Sequence, residues 1–285
     1  MKESAFTVAK KFSAEREMTD ESERKNRNRD EERQKGEMRK GETGAEMKSE
    51  GNRISKLLLT AGAAAAGLYI APKIMYAVLE IPRKEKAFPG KQKIACVGDS
   101  ITFGTGVIWH RKRDAWPYML ESLLGEEYQV LNYGISGASV QRESDKPYRP
   151  DFMKSVTDME AEAIILMLGS NDSKAGNWNP ERFERAYSET LELLSAATRK
   201  LYVMIPPRAF VVGWRKKVKF GIRNEVVRDE IHPILLRQAK IHHVPVIDLY
   251  RLTETHPEYF EDGVHPNQLG NKVIAEYVYD QINRQ

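Results

Sequence analysis

The sequence predicts an α/β domain in which a parallel sheet is covered by helices on both faces. Two observations carry this. From about Lys91 onward, short apolar runs bounded by Gly or Pro alternate with longer helical stretches. The runs are continuously apolar instead of alternating with polar residues, as strands buried on both faces are.

The elements follow in order. KIACVG, Lys93–Gly98, is the first strand, and GDSITFG after it supplies the small and polar residues of a turn. A helix over Trp116–Gly125 precedes the second strand, YQVLNYG, and a helix over Asp151–Glu160 precedes the third, AIILMLG. The next helix, Pro180–Thr198, opens with Asn179 as a cap and Pro180 in the first turn, where a missing N–H costs nothing. KLYVMIP is the fourth strand, Arg223–His243 a long helix, VPVIDL the fifth strand and Gln268–Ile282 the final helix. No internal repeat is present, so the five strands belong to one domain, 84–285.

The chain has 285 residues, 41% hydrophobic and 30% charged, with a mean hydropathy of −0.57. Its 45 basic and 41 acidic side chains leave a net charge of only +4, and no recognition motif accompanies them, which argues against nucleic acid as a partner. The single cysteine, Cys96, lies inside the first apolar run and reads as a small core residue.

The low hydropathy comes from residues 1–53, where charge, Ser, Asn and Gly dominate and a disordered tail is expected. Residues 54–83 are different. No charge occurs from Leu57 to Pro72, and with Lys73 snorkelling the apolar stretch extends to Leu79, long enough for a membrane anchor. An Ala-rich helix packed on the domain and a cleaved signal are the alternatives. Basic residues flank the segment on both sides, so the positive-inside rule does not orient it. Oligomeric state is not legible.

Four polar clusters interrupt the apolar pattern: Gly98-Asp99-Ser100 after the first strand, NYGISGAS with Gly134 after the second, LGSND with Asn171 after the third, and EDGVHPN before the last helix. Parallel strands all end at the same edge, so the first three clusters converge there. Each cluster alone is an ordinary turn or cap. Together they suit nucleophilic acyl transfer: a serine hydroxyl needs an adjacent base, and His265 with Asp262 behind it can serve. The backbone N–H groups of Ser100 and Gly134 and the side-chain amide of Asn171 are candidate donors to an oxyanion. Asp99 and Asp172 sit beside these groups as candidate supports.

In this order, GDSITFG, NYGISG, LGSND and DGVHP resemble the four blocks of the SGNH, or GDSL-type, hydrolases. Ile101 replaces the leucine of the name-giving tetrapeptide. The resemblance implies a flavodoxin-like three-layer α/β/α fold and a carboxylic ester hydrolase that needs no metal or other cofactor. It also implies that Ser100 is the nucleophile, His265 the base oriented by Asp262, and Gly134 and Asn171 oxyanion donors. The sequence around the blocks resembles bacterial carbohydrate acetylesterases, which implies removal of a small acyl group and slightly prefers an extracytoplasmic place for a membrane-anchored enzyme. Trp109, Trp178 and Tyr148 are candidate rim aromatics. A thioesterase or lysophospholipase acting on longer acyl chains is the alternative enzyme, and an inactive sugar- or lipid-binding module the alternative of another class.

Overall fold

Every predicted strand forms in the computed structural model, which describes residues 74–284. The expected charged tail and most of the apolar segment lie outside the described residues. The strands are β1 (Gln92–Gly98), β2 (Tyr128–Gly134), β3 (Ala163–Met167), β4 (Lys200–Ile205) and β5 (Val246–Asp248). They pair in parallel in the order β2-β1-β3-β4-β5. The main helices are α1 (Ser100–Phe103), α2 (Trp116–Leu124), α3 (Pro150–Thr157), α4 (Pro180–Ser195), α5 (His232–Ile241) and α6 (Gln268–Asn283).

Alternation along each strand builds two cores. Ala95, Val97, Ile164, Leu166 and Val203 point to one face, where Phe152 of α3, Phe183, Tyr187 and Leu191 of α4 and Leu235 of α5 cover them. Ile94, Cys96, Ile165, Met167 and Met204 point to the other, under Trp116 and Leu120 of α2 and Ile274 and Val278 of α6. This is the three-layer arrangement expected for strands with no polar face. Cys96 is fully buried, in keeping with its reading as core.

The long helix predicted over Arg223–His243 is present but not uniform. Pro233 follows a π turn over Val227–Ile231. Its ring cannot donate to the preceding turn, and the wider turn absorbs the missing bond.

Residues 74–83, ahead of the expected boundary at residue 84, belong to the same compact unit as the sheet. Residues 74–79 form a short helix. The segment after it is stitched along the outer edge of β2: Asn132 N–H donates to Glu85 at 2.9 Å, and Phe88 N–H to Gln129 at 2.7 Å. An exposed strand edge is thereby covered by the protein's own chain. No helix among the described residues is long and apolar enough to cross a membrane.

Candidate active site

Ser100 sits at the turn from β1 into α1, where Asp99 caps the helix by accepting the Ile101 N–H at 2.9 Å. The cap fixes the backbone so that the serine side chain rises from the sheet's carboxyl edge. His265 comes from the loop before α6. Asn267 caps that helix through the Gly270 N–H, and the buried Asn271 donates to Pro266 O at 2.8 Å. These bonds anchor the residues on either side of the ring.

Ser100 and His265, separated by 165 positions in sequence, meet at 2.9 Å between Oγ and Nε2. His265 Nδ1 lies 2.8 Å from Asp262 Oδ2, while Asp262 Oδ1 accepts the backbone N–H groups of Val264 and His265. Burial alone would raise Asp262. The hydrogen bond and charge of His265, with the two backbone donors, outweigh it and hold the carboxyl down to about 2. The carboxylate is therefore ionised and committed to one imidazole geometry.

Ser100 and His265 open into a cleft of about 260 Å³ that is also lined by Ser136, Gly137, Asn171 and Phe220. Phe220 adopts a positive φ of 59° and places its ring 5.0 Å from the imidazole. The N–H groups of Ser100 and Gly137 have no acceptor among the described residues. Asn171 is at the site, but its Nδ2 also reaches Ala138 O at 3.2 Å and Asp99 Oδ2 at 3.3 Å. Both contacts are long, so they orient the amide without holding its hydrogens tightly.

Gly134 does not occupy the expected position. Its N–H donates to Asn132 Oδ1 at 3.0 Å, and a Cβ there would lie 2.2 Å from Phe103 N. Close packing of β2 on α1 is what demands this glycine. Three residues on, Gly137 turns into the cleft with φ of +81°. Both glycines belong to NYGISG, and only the backbone path distinguishes the one that packs from the one that faces Ser100.

Asp172 bridges two loops of the site. It is fully buried and accepts Val140 N–H at 3.1 Å and Gln141 N–H at 3.0 Å, which ties the loop after β2 to the loop after β3. Burial raises Asp172 to about 6 against those bonds, and burial likewise raises Asp99 to about 6 against the Ile101 N–H and the charge of His265.

The expected rim aromatics lie elsewhere. Tyr148 is buried with its hydroxyl on Tyr133 O, and Trp178 packs on Phe183 and donates to Glu230. Trp109 lines a separate hollow of about 840 Å³ with Glu85 and Lys112. Tyr76 and Phe220 are the aromatics of the cleft. Tyr76 and Glu80 precede β1, in a stretch whose apolar composition concealed any role at a polar site.

Residues 96–273 match the GDSL-like lipase/acylhydrolase family. An acetylxylan esterase of Xylanibacter ruminicola is 29% identical over 211 residues, covering 65% of this chain and 42% of that protein. The chain thus spans less than half the length of that relative. The thioesterase 1/protease 1/lysophospholipase L1 of Escherichia coli is 25% identical over 189 residues, 65% of this chain and 81% of that one. In fold, the native aryl esterase of M. smegmatis superposes with a TM-score of 0.57 at 20% identity, covering 68% of this chain and 99% of that one. A carbohydrate acetylesterase from Sinorhizobium meliloti gives 0.55 at 18% identity, with 68% and 99% covered.

Proposed function

Because the chain belongs to the GDSL-like lipase/acylhydrolase family, we propose that it is a serine esterase releasing a small acyl group, acetyl above all, from a carbohydrate or similarly hydroxylated alcohol. The observation that carries this reading is the unbroken Ser100–His265–Asp262 relay, 2.9 and 2.8 Å, opening into a small cleft.

Ser100 Oγ attacks the ester carbonyl as His265 Nε2 takes its proton, and Asp262 stabilises the imidazolium through Nδ1. Negative charge develops on the former carbonyl oxygen. The Ser100 and Gly137 N–H groups and the Asn171 amide are the donors positioned to receive it. Collapse breaks the bond to the alcohol, which leaves with the proton from His265. Water, deprotonated by the same ring, then attacks the acyl-serine, and Ser100 regains its proton as the acid departs.

The cleft of about 260 Å³ is smaller than a typical drug-sized pocket and suits a short acyl group. The name of the Xylanibacter relative points the same way. The test is p-nitrophenyl esters of rising acyl length, with fluorophosphonate labelling of the protein. The kcat/KM should be highest for acetyl and fall beyond butyryl, since a longer chain finds no site in which to recover about 0.8 kcal/mol per methylene. A preference for octanoyl would favour the longer-chain reading suggested by the Escherichia coli relative. Absence of both labelling and hydrolysis would leave the binding module.

A further inference from the structure

The cleft has one wall that comes from outside the matched family region. Glu80 Oε1 accepts hydrogen bonds from Thr105 Oγ1 at 3.0 Å and Ser136 Oγ at 3.1 Å. These two hydroxyls also meet each other at 3.0 Å, so the three groups form one cluster at the edge of the cleft. Thr105 adjoins Gly106, where a Cβ would lie 2.3 Å from Pro266 O and 3.1 Å from His265 Cβ, so this stretch abuts the histidine loop. Ser136 adjoins Gly137, on the oxyanion side. One carboxylate oxygen therefore clips the chain before β1 to the edge of the cleft, where the loops of Thr105 and Ser136 meet. The other, Oε2, has no hydrogen-bond partner among the described residues, and neither has the Tyr76 hydroxyl.

Tyr76 precedes Glu80 by one helical turn, with Glu80 N–H donating to Tyr76 O at 3.0 Å, so both side chains reach the cleft. Burial, then the carboxylates of Glu80 and Asp262, push the phenol up to about 12. It stays protonated, a donor, and close enough to Asp262 to sense its charge. Glu80, through Thr105, adjoins the His265 loop, and His265 Nε2 is the group that protonates the leaving alcohol.

We infer that Tyr76 and Glu80 are specificity residues for the alcohol half of the substrate: the Tyr76 hydroxyl and Glu80 Oε2 bind hydroxyl groups neighbouring the ester. This rests on the esterase reading above and deepens it. The ligand class is a polyol monoester, with at least one free hydroxyl next to the acylated carbon. The active site then extends to a segment more than ten residues ahead of β1.

The experiment compares 1-acetylglycerol with ethyl acetate, esters of one acid whose alcohols differ in free hydroxyls. The parent protein, as the full chain, should favour 1-acetylglycerol in kcat/KM. Tyr76→Phe should reduce that preference by about three- to tenfold, mostly through KM, the effect of one lost neutral hydrogen bond. Glu80→Gln keeps an oxygen for Thr105 and Ser136 and should reduce it less than Glu80→Ala, which removes both the clip and the acceptor. An unchanged preference in both Tyr76→Phe and Glu80→Ala would overturn the inference. So would a changed acetyl-to-butyryl ratio with the alcohol preference intact, because the wall would then belong to the acyl side. If the parent hydrolyses both acetates but no acetylated xylobiose, the carbohydrate reading fails while the polyol inference stands. If it hydrolyses no ester and takes no fluorophosphonate, the esterase reading itself fails.

Discussion

Replacing Asp262 by asparagine should lower kcat about 10⁴-fold, within a decade either way, and leave KM near the parent value. Asp262 Oδ1 accepts two backbone N–H groups, from Val264 and His265, while Oδ2 faces His265 Nδ1. The introduced amide has only one oxygen. If it serves the two backbone donors, its NH₂ faces Nδ1. The imidazole must then carry its proton on Nε2, where it cannot accept one from Ser100. Turning the amide restores the useful tautomer but leaves both backbone donors unpaired, at a cost of roughly 1–3 kcal/mol each. The lost carboxylate adds to this, since an amide carries no charge to stabilise the imidazolium. The two donors alone cost about 2–6 kcal/mol, or roughly one and a half to four decades in rate at about 1.4 kcal/mol per decade, before that charge is counted. Steady-state hydrolysis of p-nitrophenyl acetate measures the effect, with thermal unfolding as a control that the loop persists. A loss below tenfold in a folded variant would refute the tautomer argument.

Ser100→Ala should reduce kcat by roughly 10⁴–10⁶ and abolish fluorophosphonate labelling, and labelling that persists at full stoichiometry would exclude Ser100 as nucleophile. The two glycines of NYGISG should part company: Gly134→Ala drives a Cβ into Phe103 N at 2.2 Å and should destabilise by about 2 kcal/mol or more. Gly137→Ala meets only the Lys146 side chain, at 3.3 Å, but its φ of +81° strains an alanine by roughly 1–2 kcal/mol. It should therefore fold with a smaller loss of stability and lose more than tenfold in kcat as the backbone relaxes and displaces an oxyanion donor; thermal melts and kinetics on both variants decide. Asp99 and Asp172, raised to about 6 by burial, hold protons in the folded state that the unfolded chain releases between about pH 4 and 6. Their stabilisation is full below the unfolded value near 4 and is lost as pH rises through 6, on the order of 3 kcal/mol each. Calorimetry should thus give a higher Tm at pH 5 than at pH 7.5. Asp172→Asn should remove about half of that difference whatever its absolute Tm, and an unaltered difference would rule Asp172 out as its source.

The sheet was legible because β1 to β5 are apolar on both faces, a pattern that depends only on local order along the chain and that few other structures satisfy. Ser100 and Asn171 were legible for a related reason: parallel strands end at one edge, so polar residues just past those ends are brought together. Asp262 and His265, in contrast, lie in a cluster before the last helix and were legible through the base that a serine nucleophile requires. Which glycine faces the cleft was not legible. Gly134 and Gly137 differ in placement through a positive φ and a 2.2 Å approach to Phe103, properties of the backbone path and of its neighbour, not of residue type. The rim aromatics were misplaced for the same reason, since Tyr148 and Trp178 found partners inside the fold that no local pattern encodes. Tyr76 and Glu80 show this most plainly. In sequence they close an apolar stretch, and only the return of that stretch along β2 brings Glu80 to Thr105 and Ser136, 25 and 56 residues away. Local sequence order specifies which segments are strands and helices and what chemistry their ends carry. The tertiary structure alone decides which of those ends touch, because side-chain contacts across such separations depend on the summed geometry of every element between them.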